Sequence, residues 1–512
     1  MSLPALAARN RTRWIRFASA AAAGLVAATA YPPVGFGPMI VVGVGVLVWL
    51  WRLSTPGEAA AFGFAWGLTF FSGVMYWIVY FGAVAMLPLM GALAATIALV
   101  GVVVGTLRLH GVHSAWLTAA VWTLVEFVRD RFPLGGLPWA DTGAALADVG
   151  PARDLARWGG VTFVTFLVVL VAGLMVTAIG SIADRSGRRD LLGAIAGLGA
   201  VLAVTILAVL TASVGPVVAE LRFAMLQGND LNRGLTSREL ADRYLPASHF
   251  ALADTLTGQY DLIVFPESSM DRDPRQDQYL ADEIRRVATQ HDAYVLVNAG
   301  VDERDGNSYN MNLLYAPDGS LVETYAKQHL VPFGEYLPFE GLLSWIPETE
   351  QITTDYSPGE ENVLFDVGGV SLATIICFEN AFPDVARDAA RDGAEAIVVT
   401  TNNRSYRRSS NAAQHVALSQ MRAAETGRPV LHASISGITA IVDPDGSVVE
   451  RSELFVNGVT EGTIATRTGE TPYVRYGNWI VLVSLGIVAG AVALLLRRRA
   501  SSGDRTVESS AL

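Results

Sequence analysis

Apolar residues in this chain gather into eight long runs, and one long polar block interrupts them. The runs lie at roughly 16–31, 38–51, 60–83, 88–107, 114–128, 159–182, 191–213 and 478–496. Each approaches the ~20 residues with which a helix crosses a bilayer, the second and fifth being short. No persuasive small-residue cleavage site follows the first run and further runs follow it directly, so it reads as an uncleaved helix, not a signal peptide. The pattern predicts a multi-pass α-helical membrane domain of about seven helices over 1–215. A water-exposed domain follows over 216–475, then a C-terminal membrane helix over 476–499 and a tail over 500–512.

Basic residues orient the runs. Arg9, Arg11, Arg13 and Arg16 precede the first, Arg52 follows the second and Arg108 the fourth. Arg185, Arg188 and Arg189 follow the sixth, and Arg497, Arg498 and Arg499 the last. With eight spans all of these fall on one side, which the positive-inside rule makes the cytoplasm. Arg129, Arg131, Arg153 and Arg157 fall on the other, diluted by Asp130, Asp141, Asp148 and Asp154. Both termini are then cytoplasmic and the polar block extracytoplasmic.

Inside the block the period changes. Short apolar stretches at Leu221–Leu226, Leu262–Phe265, Tyr294–Asn298, Asn312–Tyr315, Ser371–Ile376, Ala396–Thr400, Pro429–His432 and Thr439–Val442 read as strands. Asp277–Gln290 and Ala412–Gly427 have helical spacing, and Pro317-Asp318-Gly319 and Pro444-Asp445-Gly446 are turn signals. Strands alternating with helices predict a layered α/β domain. Composition agrees with a membrane protein: 51% of residues are hydrophobic and 17% charged, against about 25% charged in soluble domains. A net charge of −11 leaves no basic face for nucleic acid. Cys377 is the only cysteine, so no intramolecular disulfide forms.

Three segments of the block place reactive side chains at the ends of predicted strands, where α/β folds carry their chemistry. Val264-Phe265-Pro266-Glu267 puts a carboxylate there, Tyr325-Ala326-Lys327 a lysine, and Ile375-Ile376-Cys377-Phe378-Glu379 the cysteine. Each has an ordinary structural reading when taken singly: a cap or ion-pair partner, a solvated charge, a core filler. Together they make an activated nucleophile. A carboxylate takes the thiol proton, and a lysine with the N–H of Phe378 holds the oxyanion.

These contexts resemble the carbon–nitrogen hydrolase (nitrilase) superfamily. With the flanking runs the whole chain is similar to its membrane branch, the N-acyltransferases of bacterial lipoprotein maturation. The resemblance is carried by Lys327 to Tyr336, by Gln227-Gly228-Asn229 and by Arg475-Tyr476-Gly477-Asn478-Trp479. It implies an extracytoplasmic αββα sandwich domain, a bacterial plasma-membrane location, no cofactor and no metal. It implies Glu267 as general base, Lys327 as oxyanion stabiliser and Cys377 as nucleophile, supported by Glu335, Phe378 and Glu379. The implied partners are a phospholipid acyl donor, a diacylglyceryl-modified apolipoprotein acceptor and the bilayer, with the enzyme acting as a monomer. A membrane-anchored amidase or nitrilase using the same triad with water is the alternative, and a transporter or scaffold with a degenerate domain is the more distant one.

The chain departs from that family at Asn402-Asn403-Arg404-Ser405-Tyr406-Arg407-Arg408, where an aromatic-rich segment is common, and it lacks a tryptophan after Gln227-Gly228-Asn229. Both departures are expected to touch substrate and not the triad, with Arg404, Arg407 and Arg408 favouring an anionic donor lipid or forming a solvated basic loop. Trp139, Trp345 and Tyr336 are candidate substrate contacts, Trp345 within a loop over Phe339–Tyr356 that dips into the membrane surface or covers the site. Glu126 reads as structural, and His291, His329, His415 and His432 as scattered residues outside ligand spacing, His415 as a hydrogen-bonded structural residue and not a catalyst.

Overall fold

The computed structural model describes residues 3–183, 187–230, 238–338 and 355–508. The chain divides into two compact units, Met1–Ala212 with Asn478–Leu512, and Ser213–Gly477. In the first unit every apolar run contains a helix, although the run at 60–83 leaves α-helical geometry at Met75 and ends in a 3-10 segment over Tyr76–Phe81. The helices are α1 (Leu3–Ala28), α2 (Met39–Trp51), α3 (Pro56–Val74), α4 (Ala83–Leu109), α5 (Ala115–Arg129), α6 (Gly150–Ala183) and α7 (Arg188–Thr211), with a last helix from Trp479 to Glu508. Among the described residues four segments are long and apolar enough to cross a membrane: Ala83–Leu109, Gly150–Ala183, Arg188–Thr211 and Trp479–Arg498. The 13 residues of α2 span only ~20 Å at 1.5 Å per residue.

Small residues set the helix spacing, as lipid supplies no hydrophobic drive for association. A Cβ on Gly63 would stand 2.6 Å from the Ile97 carbonyl of α4, and one on Gly101 would stand 2.5 Å from that of Ala59 on α3. α6 bends where Gly159 and Gly160 leave helical geometry, Gly160 at φ +71°. The run expected at 159–182 is therefore only its second part. Glu126 is buried and accepts from the Thr142 hydroxyl at 2.8 Å and the Thr165 hydroxyl at 2.5 Å. Arg129 beside it pairs with Asp130 and Asp141. Buried charges carry a large desolvation cost unless paired in this way, so Glu126 holds the loop after α5 to α6.

The second unit contains β1 (Val217–Gln227), α8 (Arg238–Ala253), β2 (Leu262–Val264), α9 (Gln278–His291), β3 (Tyr294–Asp302), β4 (Ser308–Tyr315), β5 (Leu321–Ala326), β6 (Leu364–Val367) and β7 (Val370–Ile376). It continues through α10 (Pro383–Arg391), β8 (Ala396–Thr401), α11 (Asn411–Thr426), β9 (Val430–Ser434), β10 (Ala440–Val442), β11 (Val448–Arg451), β12 (Gly458–Arg467) and α12 (Pro472–Tyr476). The strands form two six-stranded sheets, ordered β12-β1-β2-β3-β4-β5 and β11-β10-β9-β8-β7-β6. β1, β2 and β3 pair parallel, as do β7, β8 and β9. β5 is antiparallel to β4, and β4 to β3, so β5 runs with β2.

Alternation along each strand builds the layers. Leu221, Phe223 and Met225 of β1 join Val264, Leu372, Val398 and Leu431 in a core between the sheets. Ala224 and Leu226 face the other way, onto Phe250 of α8 and Ile284 and Val287 of α9. α10 and α11 lie against the second sheet, which gives the αββα sandwich. All eight expected strands are present. The four that the sequence reading lacks are β5, β6, β11 and β12, the edge strands of the two sheets. Both expected helices form: the Asp277 carboxylate caps α9 by accepting from Tyr279 and Leu280 N–H, and Gly427 ends α11 in the left-handed conformation.

Candidate active site

Each of the three reactive side chains follows a strand. Glu267 lies just past β2, Lys327 directly after β5 and Cys377 directly after β7. β5 runs with β2 in the first sheet, and hydrogen bonds across to the second, from the Asn402 N–H after β8 to Glu267 and from the Gln328 N–H to Glu379, bring the three to one end of the sandwich. Cys377 takes φ +51° and Ser268, beside the glutamate, φ +59°. Both are conformations a side-chain-bearing residue rarely adopts, and such strain clusters at functional sites.

Lys327 is 1% exposed and Glu267 5%. The Lys327 ammonium donates to Glu267 Oε1 at 3.3 Å and to Glu335 Oε1 at 2.9 Å. Asn310 Nδ2 donates to the same two oxygens, at 3.0 and 2.9 Å. Its own orientation is fixed from behind. The Ser268 N–H donates to Asn298 Oδ1 at 2.7 Å, which leaves Asn298 Nδ2 to donate to Asn310 Oδ1 at 2.8 Å. The other oxygens of the two acids are also held, Glu267 Oε2 by the Asn402 N–H at 2.8 Å and Glu335 Oε2 by the Val331 N–H at 2.8 Å. Burial opposes the charge on Lys327, but Glu335, Glu267 and Cys377 together hold its pKa well above the usual lysine range.

The thiol is set differently. Burial first, and then the charge of Glu267, push Cys377 up to about 12, against the pull of Lys327, the Thr401 hydroxyl and the Asn402 N–H. At neutral pH Cys377 therefore rests as a thiol, an arrangement that suits removal of its proton by a neighbouring base better than a preformed thiolate. Glu379 stands behind the nucleophile, fully buried. Its oxygens accept from Tyr325 Oη at 2.8 Å, Gln328 N–H at 2.6 Å, His329 N–H at 3.2 Å and Ile376 N–H at 2.8 Å. It ties the strand bearing the cysteine to the segment bearing the lysine. Phe378 packs edge-on against Phe382 at 5.1 Å, and Phe382 stacks on His329 at 3.9 Å.

Several expectations change. The segment from Asn402 to Arg408 touches the triad as well as its surroundings, through the Asn402 N–H on Glu267. Tyr406 lies near the site too: burial raises its hydroxyl pKa, with Cys377, Lys327, Glu267 and Glu335 its titratable neighbours. Arg404 is paired with Asp230 and so is already neutralised, while Arg407 and Arg408 are exposed. Of the four histidines two come together: His415 and His432 meet edge to face at 4.9 Å, and His415 Nε2 lies 2.9 Å from the Cys377 carbonyl, while His291 and His329 pack elsewhere, on Tyr260 and Phe382. Tyr336, next to Glu335, is half-buried and accepts the Phe333 N–H on its carbonyl at 2.9 Å. Trp139 is a buried residue of the first unit, packed edge-on against Trp77 at 5.4 Å. Trp345 and the loop around it lie outside the described residues. Sequence reasoning missed Asn298 and Asn310, for which the available signal was a pair of asparagines, Asn310 and Asn312, inside an apolar strand; it placed Asn402 at the substrate and not on Glu267.

Two family models match the chain. The one described as carbon-nitrogen hydrolase matches residues 235–473, and the one described as apolipoprotein N-acyltransferase N-terminal domain matches residues 23–174. The apolipoprotein N-acyltransferase of Nitrosomonas europaea is 30% identical over 95% of this chain and 99% of its own length. That of Geobacter metallireducens is 28% identical over 93% and 94%, and that of Azotobacter vinelandii 30% over 96% and 98%. An amidase from Nesterenkonia sp. is a similar solved structure, at 18% identity and a TM-score of 0.38, covering 51% of this chain and 95% of that one. Matched in both halves and across nearly its whole length, the chain belongs to the apolipoprotein N-acyltransferase family.

Proposed function

We propose that the chain transfers a fatty acyl group from a phospholipid to the α-amino group of a diacylglyceryl-modified N-terminal cysteine, through a thioester on Cys377. The observation that carries the reading is the buried Lys327 ammonium shared by Glu267 and Glu335 beside the strained, lone cysteine. In the first half-reaction Cys377 Sγ attacks the ester carbonyl while Glu267 takes the thiol proton. Lys327 and the Phe378 N–H stabilise the oxyanion, and the proton passes from Glu267 to the departing lyso-lipid oxygen as the C–O bond breaks. In the second, the acceptor amine attacks the thioester, Glu267 accepts its proton, and the C–S bond breaks to return that proton to the thiol. An amide replaces a thioester, so the transfer runs downhill. Glu335 keeps Lys327 charged and in place, and Glu379 fixes the nucleophile's strand.

The membrane half suits two substrates that carry acyl chains and reach the site from a lipid leaflet. We assign all eight helices as spans of the bacterial plasma membrane, with both termini cytoplasmic and the sandwich extracytoplasmic in a monomeric enzyme. Mass spectrometry of purified protein incubated with phospholipid and a diacylglyceryl lipopeptide tests the reaction. A third acyl chain on the peptide, absent with Cys377→Ala, is the expected result. Free fatty acid with no acylated peptide would make water the second nucleophile and the chain a hydrolase instead, and transfer surviving Cys377→Ala would remove the thioester.

A further inference from the structure

His415 stands on α11 and has no part in the reaction written above. It is buried, with Nε2 2.9 Å from the carbonyl oxygen of Cys377. Its other ring nitrogen faces donors, since Asn403 Nδ2 and Thr401 Oγ1 each lie 3.2 Å from Nδ1. Asn403 is itself oriented: Nδ2 also donates to Asn411 Oδ1 at 2.8 Å, and Oδ1 accepts from the Ser434 hydroxyl at 3.3 Å. Nδ1 is thus the acceptor and Nε2 carries the proton, which is the tautomer that donates to Cys377. Burial pushes the ring pKa down to about 4, so at physiological pH the ring is neutral with that single donor.

The carbonyl it holds belongs to the same peptide unit as the Phe378 N–H. In a trans peptide, which this one is, C=O and N–H point in opposite directions. Anchoring the carbonyl on α11, behind the second sheet, turns the Phe378 N–H the other way, to the side of Glu267 and Lys327. Phe378 is the second residue of a 3-10 turn over Cys377–Ala381, so its N–H is among the donors the turn itself leaves unused. Rotation of the unit is a real alternative, because Cys377 sits at φ +51°, where a residue with a side chain stays only when its surroundings hold it. A rotated unit would present a carbonyl oxygen where negative charge develops.

We propose that His415 is a positioning residue whose Nε2–H locks the Cys377–Phe378 peptide and so keeps the Phe378 N–H in the oxyanion hole. This rests on the role given to that N–H in the proposed reaction. Two reactions of Cys377 in the full-length protein in detergent separate the possibilities. Iodoacetamide alkylates sulfur by displacement: the S–C bond forms, C–I breaks, and no oxyanion arises. A long-chain aldehyde adds the thiol across its carbonyl: the S–C bond forms, the thiol proton ends on oxygen, and that oxygen sits in the hole.

With His415→Phe, which keeps a ring but no donor, alkylation is expected to stay within about threefold of the wild type. Aldehyde affinity, and thioester formation from phosphatidylethanolamine–phosphatidylglycerol micelles, should fall roughly 10²-fold, the usual size for one lost oxyanion donor. His415→Gln, which keeps an N–H, should recover most of the loss. Unchanged aldehyde affinity would overturn the proposal, and so would an equal loss in both reactions, which assigns His415 to packing alone. If His415→Phe does not fold, Asn403→Ala leaves the ring but releases its tautomer, and the same ratio must fall for the proposal to stand. A wild type that forms no thioester from lipid would defeat the acyl-transfer reading, while the ratio of aldehyde to iodoacetamide reactivity would still decide the role of His415.

Discussion

A lysine between two carboxylates, next to a thiol that burial keeps protonated, fixes how the nucleophile is made. The ammonium cannot lower the thiol into the neutral range, because Glu267 opposes it and burial opposes any charge on sulfur. Alkylation of Cys377 by iodoacetamide should therefore accelerate steadily from pH 6 to 9 with no plateau. A plateau by pH 7 or 8 would reveal a stable thiolate and remove the need for Glu267 as base. Lys327→Ala leaves two buried carboxylates facing each other without a counter-ion; thioester formation should drop by roughly 10²-fold or more, the range for loss of an oxyanion stabiliser, measured by mass spectrometry of the acyl-enzyme. Glu267 and Cys377 were legible in the sequence because each follows an apolar strand, β2 and β7, and Lys327 because it opens the motif that runs to Tyr336. Asn310, Asn402 and His415 were not, because their roles depend on which groups other elements bring to them. A buried asparagine in a strand looks like an interruption until the carboxylates on its far side are known.

At the scale of elements, visibility followed burial. The eight strands read from the sequence are interior strands with apolar residues on both faces. Those that escaped, β5, β6, β11 and β12, are edge strands, and β11 is exposed at three of its four residues. An edge strand has one neighbour and a wetter face, so polar residues dilute the pattern that marks a strand. β5 matters most, since it delivers Lys327, and there the motif found the residue while the periodicity missed its strand. Glu379 joins β7 to the segment after β5 through four hydrogen bonds. Glu379→Gln would turn at least one N–H donor against an NH₂ group. Bonds to a buried charged group contribute about 1.5–3 kcal/mol each, so the variant should lose roughly 3 kcal/mol. In a domain of this size that lowers the melting temperature by about 5–12 °C. Activity should fall with it even though Glu379 does not touch the reacting atoms; an unchanged melting temperature would show that the strap carries no load.

For the molecule as a whole, pH and the membrane each set a condition. Burial holds His249 and His415 down at about 4, and His432 well below its usual value. The unfolded chain binds protons at these sites near pH 6.5 and the folded one does not. Their stability contribution is thus complete above 6.5 and is lost as pH falls from 6.5 to about 4, roughly 3 kcal/mol for each of the first two. Glu379, Asp388 and Asp443, raised by burial, act in the opposite sense, whereas Asp261, Asp305 and Asp318, lowered by the hydrogen bonds they accept, act with the histidines. Melting of the detergent-solubilised protein should be flat from pH 8 to 7 and fall steeply below 6; a curve rising towards pH 5 would contradict the buried, neutral histidines. The membrane condition is one of parity. α7 and the helix from Trp479 flank the sandwich in sequence, and both are long and apolar enough to cross. Leu53, exposed between α2 and α3, is separated from the sandwich by α3, α4, α5, α6 and α7. If all five cross, Leu53 and the domain lie on opposite sides; if 15-residue α5 or α3 alone stops short, they share one. In a Cys377→Ala background, a membrane-impermeant maleimide should label Arg451→Cys in intact spheroplasts and Leu53→Cys only after permeabilisation. Labelling of both without permeabilisation would leave the four clear spans in place and show that an odd number of the doubtful helices, α3 and α5 foremost, does not cross. Labelling of Leu53→Cys alone would turn the whole enzyme over, against the arginines that flank its helices.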